Sequence, residues 1–184
     1  LTKTLRIGLS TLLDSKDIMM IGLAQTLFEC SMYIFVLLYT PAIEETLSSG
    51  QASEDVPLGY LFSTMMLAAM TGSLFFQAVE KQTKKSRYGM HFTEDRLLSI
   101  ALGLASCAFM LMAYHINVSA SILMIAYHLF EFTTGLYYPA ISSLKADAIP
   151  EETRAAVMTL LRIPMNLGVG IIMWHIEEMT SAVF

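Results

Sequence analysis

Three ionisable residues stand out because of where they sit. Glu29, Glu131 and Arg162 each lie inside a long apolar run. A charge at the centre of a bilayer costs on the order of 3 kcal/mol on insertion scales, so such groups turn toward a cavity or a partner and away from lipid. Gln25 and Tyr33 fall one turn before and one turn after Glu29, on the same helical face. Tyr127, Glu131, Gly135 and Pro139 follow the same four-residue spacing, and Arg162 is followed by Asn166 and Gly170. The chemistry of such groups is binding and proton transfer: carboxyls that carry protons, and a guanidinium and an amide that hold an anion. Each has a structural alternative. A buried Glu can be hydrogen-bonded and tie helices together. Arg162 can snorkel to the membrane surface, or pair with Glu29 or Glu131. His128, close to Glu131, is open to the same two readings, as a proton relay or as a packed residue.

The elements that must position these residues are helices. The chain is 55% hydrophobic and 15% charged, whereas soluble domains carry ~25% charged residues. Its apolar residues come in blocks near the ~20 residues that a membrane-crossing helix requires. The expected fold class is all-α, a polytopic transmembrane helix bundle with five spans at 18–39, 58–79, 97–114, 119–144 and 155–175. Thr40–Pro41 is expected to end the first span, because proline disfavours helix at the preceding residue. Pro139 lacks an N–H and frees the carbonyl of Gly135. A kink is expected there, tolerable only where the carbonyl meets protein or water, and Pro164 predicts a second. Ser99, Gly103 and Cys107 form a small-residue stripe that predicts the packing face of the third span. In the second span, Thr64, Ala68 and Gly72 either pack or line a cavity, with Ser73 and Gln77 beyond them. Residues 1–17 read as an amphipathic surface helix or as a linker.

Charge orients the spans. The segment after the first span holds Glu44, Glu45, Glu54 and Asp55 without a Lys or Arg. The segment after the second holds Lys81, Lys84, Lys85, Arg87 and Arg96. Basic residues outside the spans recur only on alternate sides, so the positive-inside rule places the N-terminus in the cytoplasm and the C-terminus outside. Trp174 and His175 would then close the last span at an interface, and the sequon at Asn117 would lie too near the membrane for use. Five spans with termini on opposite sides predict a fragment or a truncated product. The expected location is the plasma membrane, with an internal membrane as the alternative.

Several classes are excluded. The net charge of −5 and the lack of interleaved basic and aromatic residues argue against nucleic acid. No G-x-S-x-G, H-E-x-x-H or Gly-rich phosphate loop is present, and the four His are scattered, so no enzyme, metal site or cofactor is expected. Cys30 and Cys107 fall in apolar runs, which argues against a structural disulfide or a metal site. No cleavable signal peptide is legible in the leading residues.

Several blocks then look familiar in order and spacing. QTLFECSMYIFVLLYTPAI, residues 25–43, resembles the seventh span of the molybdate-anion transporter family, a branch of the major facilitator superfamily. PLGYLFSTMMLAAMTGS, residues 57–73, is similar to its eighth. GLYYPAISSLK, IPEETRA and RIPMN, within residues 131–166, are similar to its tenth and eleventh spans and their loop. Tyr39 departs from the Trp usual there, and the basic signature after the eighth span lacks its Asp. The resemblance implies a partial major facilitator fold in which this chain supplies helices seven to eleven of twelve, with a solute site at midplane between two halves. It also implies that the ninth helix packs outside and the others line the cavity.

The expectation is transmembrane uptake of molybdate or a related oxyanion by alternating access. Arg162 and Asn166, with Gln25 and Glu29, would contact the anion. Glu131 or Glu29 would take up a proton, since a carboxyl away from water is costlier to keep charged. The partners would be the lipid bilayer, a small anionic solute and the missing N-terminal half. A transporter of a sugar or other organic solute, and a truncated non-transporting membrane protein, are the alternatives.

Overall fold

A computed structural model of the chain describes residues 2–49, 58–85, 94–114 and 120–175. Their regular elements are all α-helices: α1 (Thr2–Asp14), α2 (Lys16–Ser49), α3 (Leu58–Lys85), α4 (Glu94–Tyr114), α5 (Ala120–Ala148) and α6 (Arg154–Trp174). Glu54, Asp55, Arg87 and the sequon at Asn117 lie outside the described residues.

α2, α3, α4 and α6 are long and apolar enough to cross a membrane. Their outer faces are rich in large exposed apolar side chains, such as Phe62, Leu67, Met70 and Leu74 on α3. A face of that kind belongs in lipid, and the chain is an integral, multi-pass membrane segment. α5 falls short on hydropathy, diluted by Tyr127, His128, Glu131, Tyr137 and Tyr138. It is nevertheless 29 residues long, and at about 1.5 Å per residue that exceeds a ~30 Å hydrocarbon core. Residues 133–137 of α5 are all buried. A helix enclosed by protein can carry polar groups that a lipid-facing one cannot.

The chain divides into two compact units, residues 1–38 with 142–184, and residues 39–141. The divisions fall inside α2 and α5, close to Pro41 and Pro139. In the first unit, Ile18 of α2, Ile149 after α5, and Val157 and Leu161 of α6 form a buried core, with Leu12 of α1 packed against it. Gly8 lets α1 lie directly on α6: a Cβ there would come within 2.7 Å of the Ala156 Cβ. The leading segment is therefore a helix docked on the last span. Cys30 on α2 donates a weak hydrogen bond from Sγ to the Met165 carbonyl on α6, at 3.6 Å.

α5 ends before Pro150, and a tight turn leads into α6. Thr153 N–H donates to Pro150 O at 3.1 Å. Arg154, the first residue of α6, donates from Nη2 to the carbonyls of Ala146 (3.1 Å) and Ile149 (3.4 Å). A cation on the last carbonyls of a helix is placed well for both hydrogen bonding and the helix dipole. The Glu151–Arg154 ion pair is 4.0 Å long and its Glu is almost fully exposed, so it adds little.

In the second unit, α3 and α5 pack closely through glycines. A Cβ on Gly72 would strike the carbonyl oxygen of Phe132, and one on Gly135 would strike that of Ala69. Thr64 lies opposite His128 and Ser73 opposite Gly135. Both pairs of numbers rise together, so the two helices run in the same direction. α4 lies between them in sequence, and this is the relation expected when successive helices alternate in direction. The stripe Thr64–Ala68–Gly72 is thus a packing face. Phe109 of α4 meets Phe130 of α5 edge to face, with centroids 4.9 Å apart.

Two expectations are corrected. α2 does not end at Thr40–Pro41 but continues to Ser49. Proline removes one backbone donor, a loss that long membrane helices tolerate, and the following turn is intact, with Thr46 Oγ1 donating to Ala42 O at 2.8 Å. Glu44 and Glu45 are therefore helical. On α4, Ser99, Gly103 and Cys107 are exposed, and a Cβ on Gly103 would meet nothing within 4 Å. The buried face is Leu97, Ala101, Ala105 and Ala108. Alanine allows close approach nearly as well as glycine, and the apolar stripe took the interior.

Candidate functional site

The polar residues fall into two groups, one in each unit. In the first unit, Gln25 and Glu29 share a face of α2, and Gln25 Nε2 donates to Glu29 Oε2 at 3.3 Å. Gln25 is 4% exposed, and its Oε1 is buried without a partner among the described residues. Tyr33, one turn further, is exposed. Arg162 and Asn166 lie on an exposed face of α6, in line with Gly170. Pro164 is also exposed but points to a different side, inside a helix that continues to Trp174.

One member of this group was not expected. Lys145 is 8% exposed, near the end of α5. The charges of Glu29 and Arg162 both act on it. It sits in the register Thr133, Tyr137, Ile141, Lys145, Ile149, one residue per turn and all buried. The signal was available: no glycine or proline interrupts residues 140–149, so the helix and its buried face extend through Lys145.

In the second unit, Glu131 is 6% exposed. Its neighbour His128 donates from Nδ1 to Met124 O (2.7 Å), and its Nε2 is hydrogen-bonded to Thr64 Oγ1 (2.9 Å). His128 is therefore held by helix contacts, and no hydrogen bond links it to Glu131 among the described residues. Tyr127, one turn before Glu131, donates its hydroxyl to the Tyr39 carbonyl at 3.1 Å, and the two rings meet edge to face. Pro139 leaves the Gly135 carbonyl without its helical donor. Ser73 Oγ supplies one from α3 at 3.0 Å, so the freed carbonyl meets protein, as its position inside a membrane demands.

This arrangement suits binding. Lys145, Arg162 and Glu29 are charged residues of the same unit, and the charges of the last two bear on Lys145. Like charges in apolar surroundings repel strongly unless a negative group sits with them. Among the described residues, no three His, Cys, Asp or Glu are grouped to hold a metal.

Comparison with known proteins bears on the same reading. Residues 1–132 match the major facilitator family described as sugar transporters with 12 transmembrane segments. The chain belongs to this family. Among curated proteins, it is 33% identical over 163 residues to the molybdate-anion transporter of Takifugu rubripes, a match covering 87% of this chain and 31% of that protein. The Danio rerio molybdate-anion transporter matches at the same identity and coverage. That of Xenopus tropicalis is 30% identical over 176 residues, covering 95% of this chain and 36% of the relative. The chain thus spans about a third of the length of the relatives it matches. These relatives are named as transporters, not as enzymes. No solved structure matches.

Proposed function

We propose that this chain is part of a secondary transporter that moves a small oxyanion, molybdate first among them, by alternating access. In this reading it supplies helices seven to eleven of the twelve, and an N-terminal half completes the cavity. The observation that carries the proposal is that a nearly buried lysine, Lys145, lies in the same unit as Arg162 and Glu29, on helices that are largely apolar. The names of the relatives support molybdate as the solute. Asn166, one turn beyond Arg162, adds an amide donor on the same face. Glu131 carries the coupling proton, as buried carboxyls in transport pathways do.

The test is uptake of labelled molybdate by the full-length protein, with tungstate, sulfate and hexoses as competitors. Saturable uptake blocked by tungstate and indifferent to hexoses is expected. Glu131→Gln should flatten the pH dependence of that uptake; an unchanged profile would make Glu131 a structural residue. A second reading, transport of a sugar or another hydroxylated solute, has one specific observation behind it. The buried Gln25 Oε1 is an acceptor without a donor among the described residues, which a hydroxyl would satisfy, and the family description names sugars. Hexose uptake without molybdate uptake would decide for it.

A further inference from the structure

We propose that His128 is a second proton-binding site, loaded at Nε2 against the Thr64 hydroxyl, so that with Glu131 the transporter carries two protons for each divalent oxyanion. This rests on the anion-transport reading and adds a stoichiometry to it.

The hydrogen bonds around the ring fix where its protons sit. His128 Nδ1 lies 2.7 Å from the Met124 carbonyl, and a carbonyl only accepts, so Nδ1 carries a hydrogen. Nε2 lies 2.9 Å from Thr64 Oγ1 on α3. That hydroxyl has one hydrogen and two lone pairs, and the Leu61 carbonyl is also within its reach, at 2.9 Å. Two arrangements satisfy every group. In one, the hydroxyl donates to Nε2 and the ring is neutral. In the other, Nε2 has gained a hydrogen and donates to Oγ1, while the hydroxyl turns to Leu61. A buried polar group left without a partner is what makes such a change costly, and neither state leaves one. A proton therefore enters or leaves without breaking the contact between α3 and α5.

The position suits proton entry. In the orientation given by the basic segments, α3 and α5 both begin on the outer side. Thr64 is six residues into α3 and His128 eight into α5, about 9 Å and 12 Å by helix rise. Glu131 lies one turn deeper and is buried. Few other ionisable groups surround the ring. Tyr127 of α5 is committed to the Tyr39 carbonyl of α2, and Glu44 and Glu45 beyond Tyr39 are exposed. α3 adds the exposed Tyr60 and α4 the exposed Cys107. Across residues 58–79, 97–113 and 120–141 there is one imidazole and one carboxyl, His128 and Glu131, both on α5. Molybdate is a dianion at neutral pH. Each negative charge carried inward works against an inside-negative membrane potential. Two protons moving with the dianion make the cycle electroneutral, and one leaves a net charge.

The experiment uses the purified full-length protein in liposomes, with the potential clamped at zero by potassium and valinomycin. It reads the accumulation of labelled molybdate at equilibrium, which does not depend on rate, so a merely slower variant reads as wild type. Each proton falling through one pH unit supplies about a tenfold gradient. A one-unit gradient, acid outside, should therefore sustain about a hundredfold accumulation in wild type. His128→Gln keeps an amide able to bond Thr64 but binds no proton, and should fall to about tenfold. Thr64→Val leaves the Nε2 hydrogen without an acceptor and should fall the same way, whereas Thr64→Ser restores a hydroxyl and should return toward wild type. The Thr64 pair decides the matter where His128→Gln fails to fold. Undiminished accumulation in His128→Gln or Thr64→Val makes the ring a packing group and overturns the inference. A wild type that accumulates only about tenfold overturns this inference alone. A wild type that takes up no molybdate overturns the oxyanion reading, and this inference with it.

Discussion

Arg162→Ala should reduce molybdate uptake by the full-length protein to background while the protein still reaches the membrane. The residue is exposed on α6, and its neighbours Leu161 and Met165 make the buried contacts of that helix. Removing it therefore takes away little packing. Its value lies in what faces it. Each hydrogen bond from a charged donor is worth about 1.5–3 kcal/mol, and a guanidinium offers two in parallel. Loss of both is on the order of a hundredfold or more in affinity by the usual conversion. Arg162→Lys keeps the charge and loses the fork, so intermediate uptake is expected. Normal uptake by the alanine variant, measured at matched surface abundance, would reject the assignment.

The largest effect on folding is expected at the α3–α5 crossing. Gly135→Ala should prevent accumulation of folded protein, and Gly72→Ala should do nearly as much. The new methyl group at 135 meets the Ala69 carbonyl and the Ser73 amide, and that at 72 meets the Phe132 carbonyl. These are backbone atoms of a neighbouring helix, which cannot rotate aside as a side chain would. Overpacking typically costs about 1–3 kcal/mol, and here the helices themselves must separate. Separation would also break the Ser73 hydrogen bond to Gly135 and strand the carbonyl that Pro139 frees. Gly103→Ala is the matched control. Nothing lies within 4 Å of its added methyl, and alanine is the better helix former by up to about 1 kcal/mol. Size-exclusion profiles of the three variants should rank Gly103→Ala with wild type and the other two as aggregated or absent. A normal profile for Gly135→Ala would mean that the crossing is looser than described.

Much of this was legible in the residues. Apolar blocks of membrane length, broken by Pro150 and by charged segments, are enough to specify helices, and Pro139 announced a carbonyl in need of a donor. Gln25 and Glu29 were placed on one face by spacing alone, and they are hydrogen-bonded. What was not legible depended on partners. Spacing finds a stripe of small residues on α4 but does not say which of two stripes meets another helix, and Ala101, Ala105 and Ala108 took the buried side. Proline at 41 weakens a helix locally, but surroundings decide whether it stops, and α2 continues. Lys145 was read as the start of a loop because a lysine after SSL resembles the edge of a membrane span. The uninterrupted run of residues 140–149 carries the helix one turn further, to Ala148, and the lysine with it.

The bridge from Arg154 to the end of α5 has a mechanical meaning. Its guanidinium belongs to α6 and grips the last carbonyls of α5, so the two helix ends share one joint. Lys145 stands just before that joint and Arg162 two turns after it. A shift of the end of α5 is therefore passed on to the start of α6.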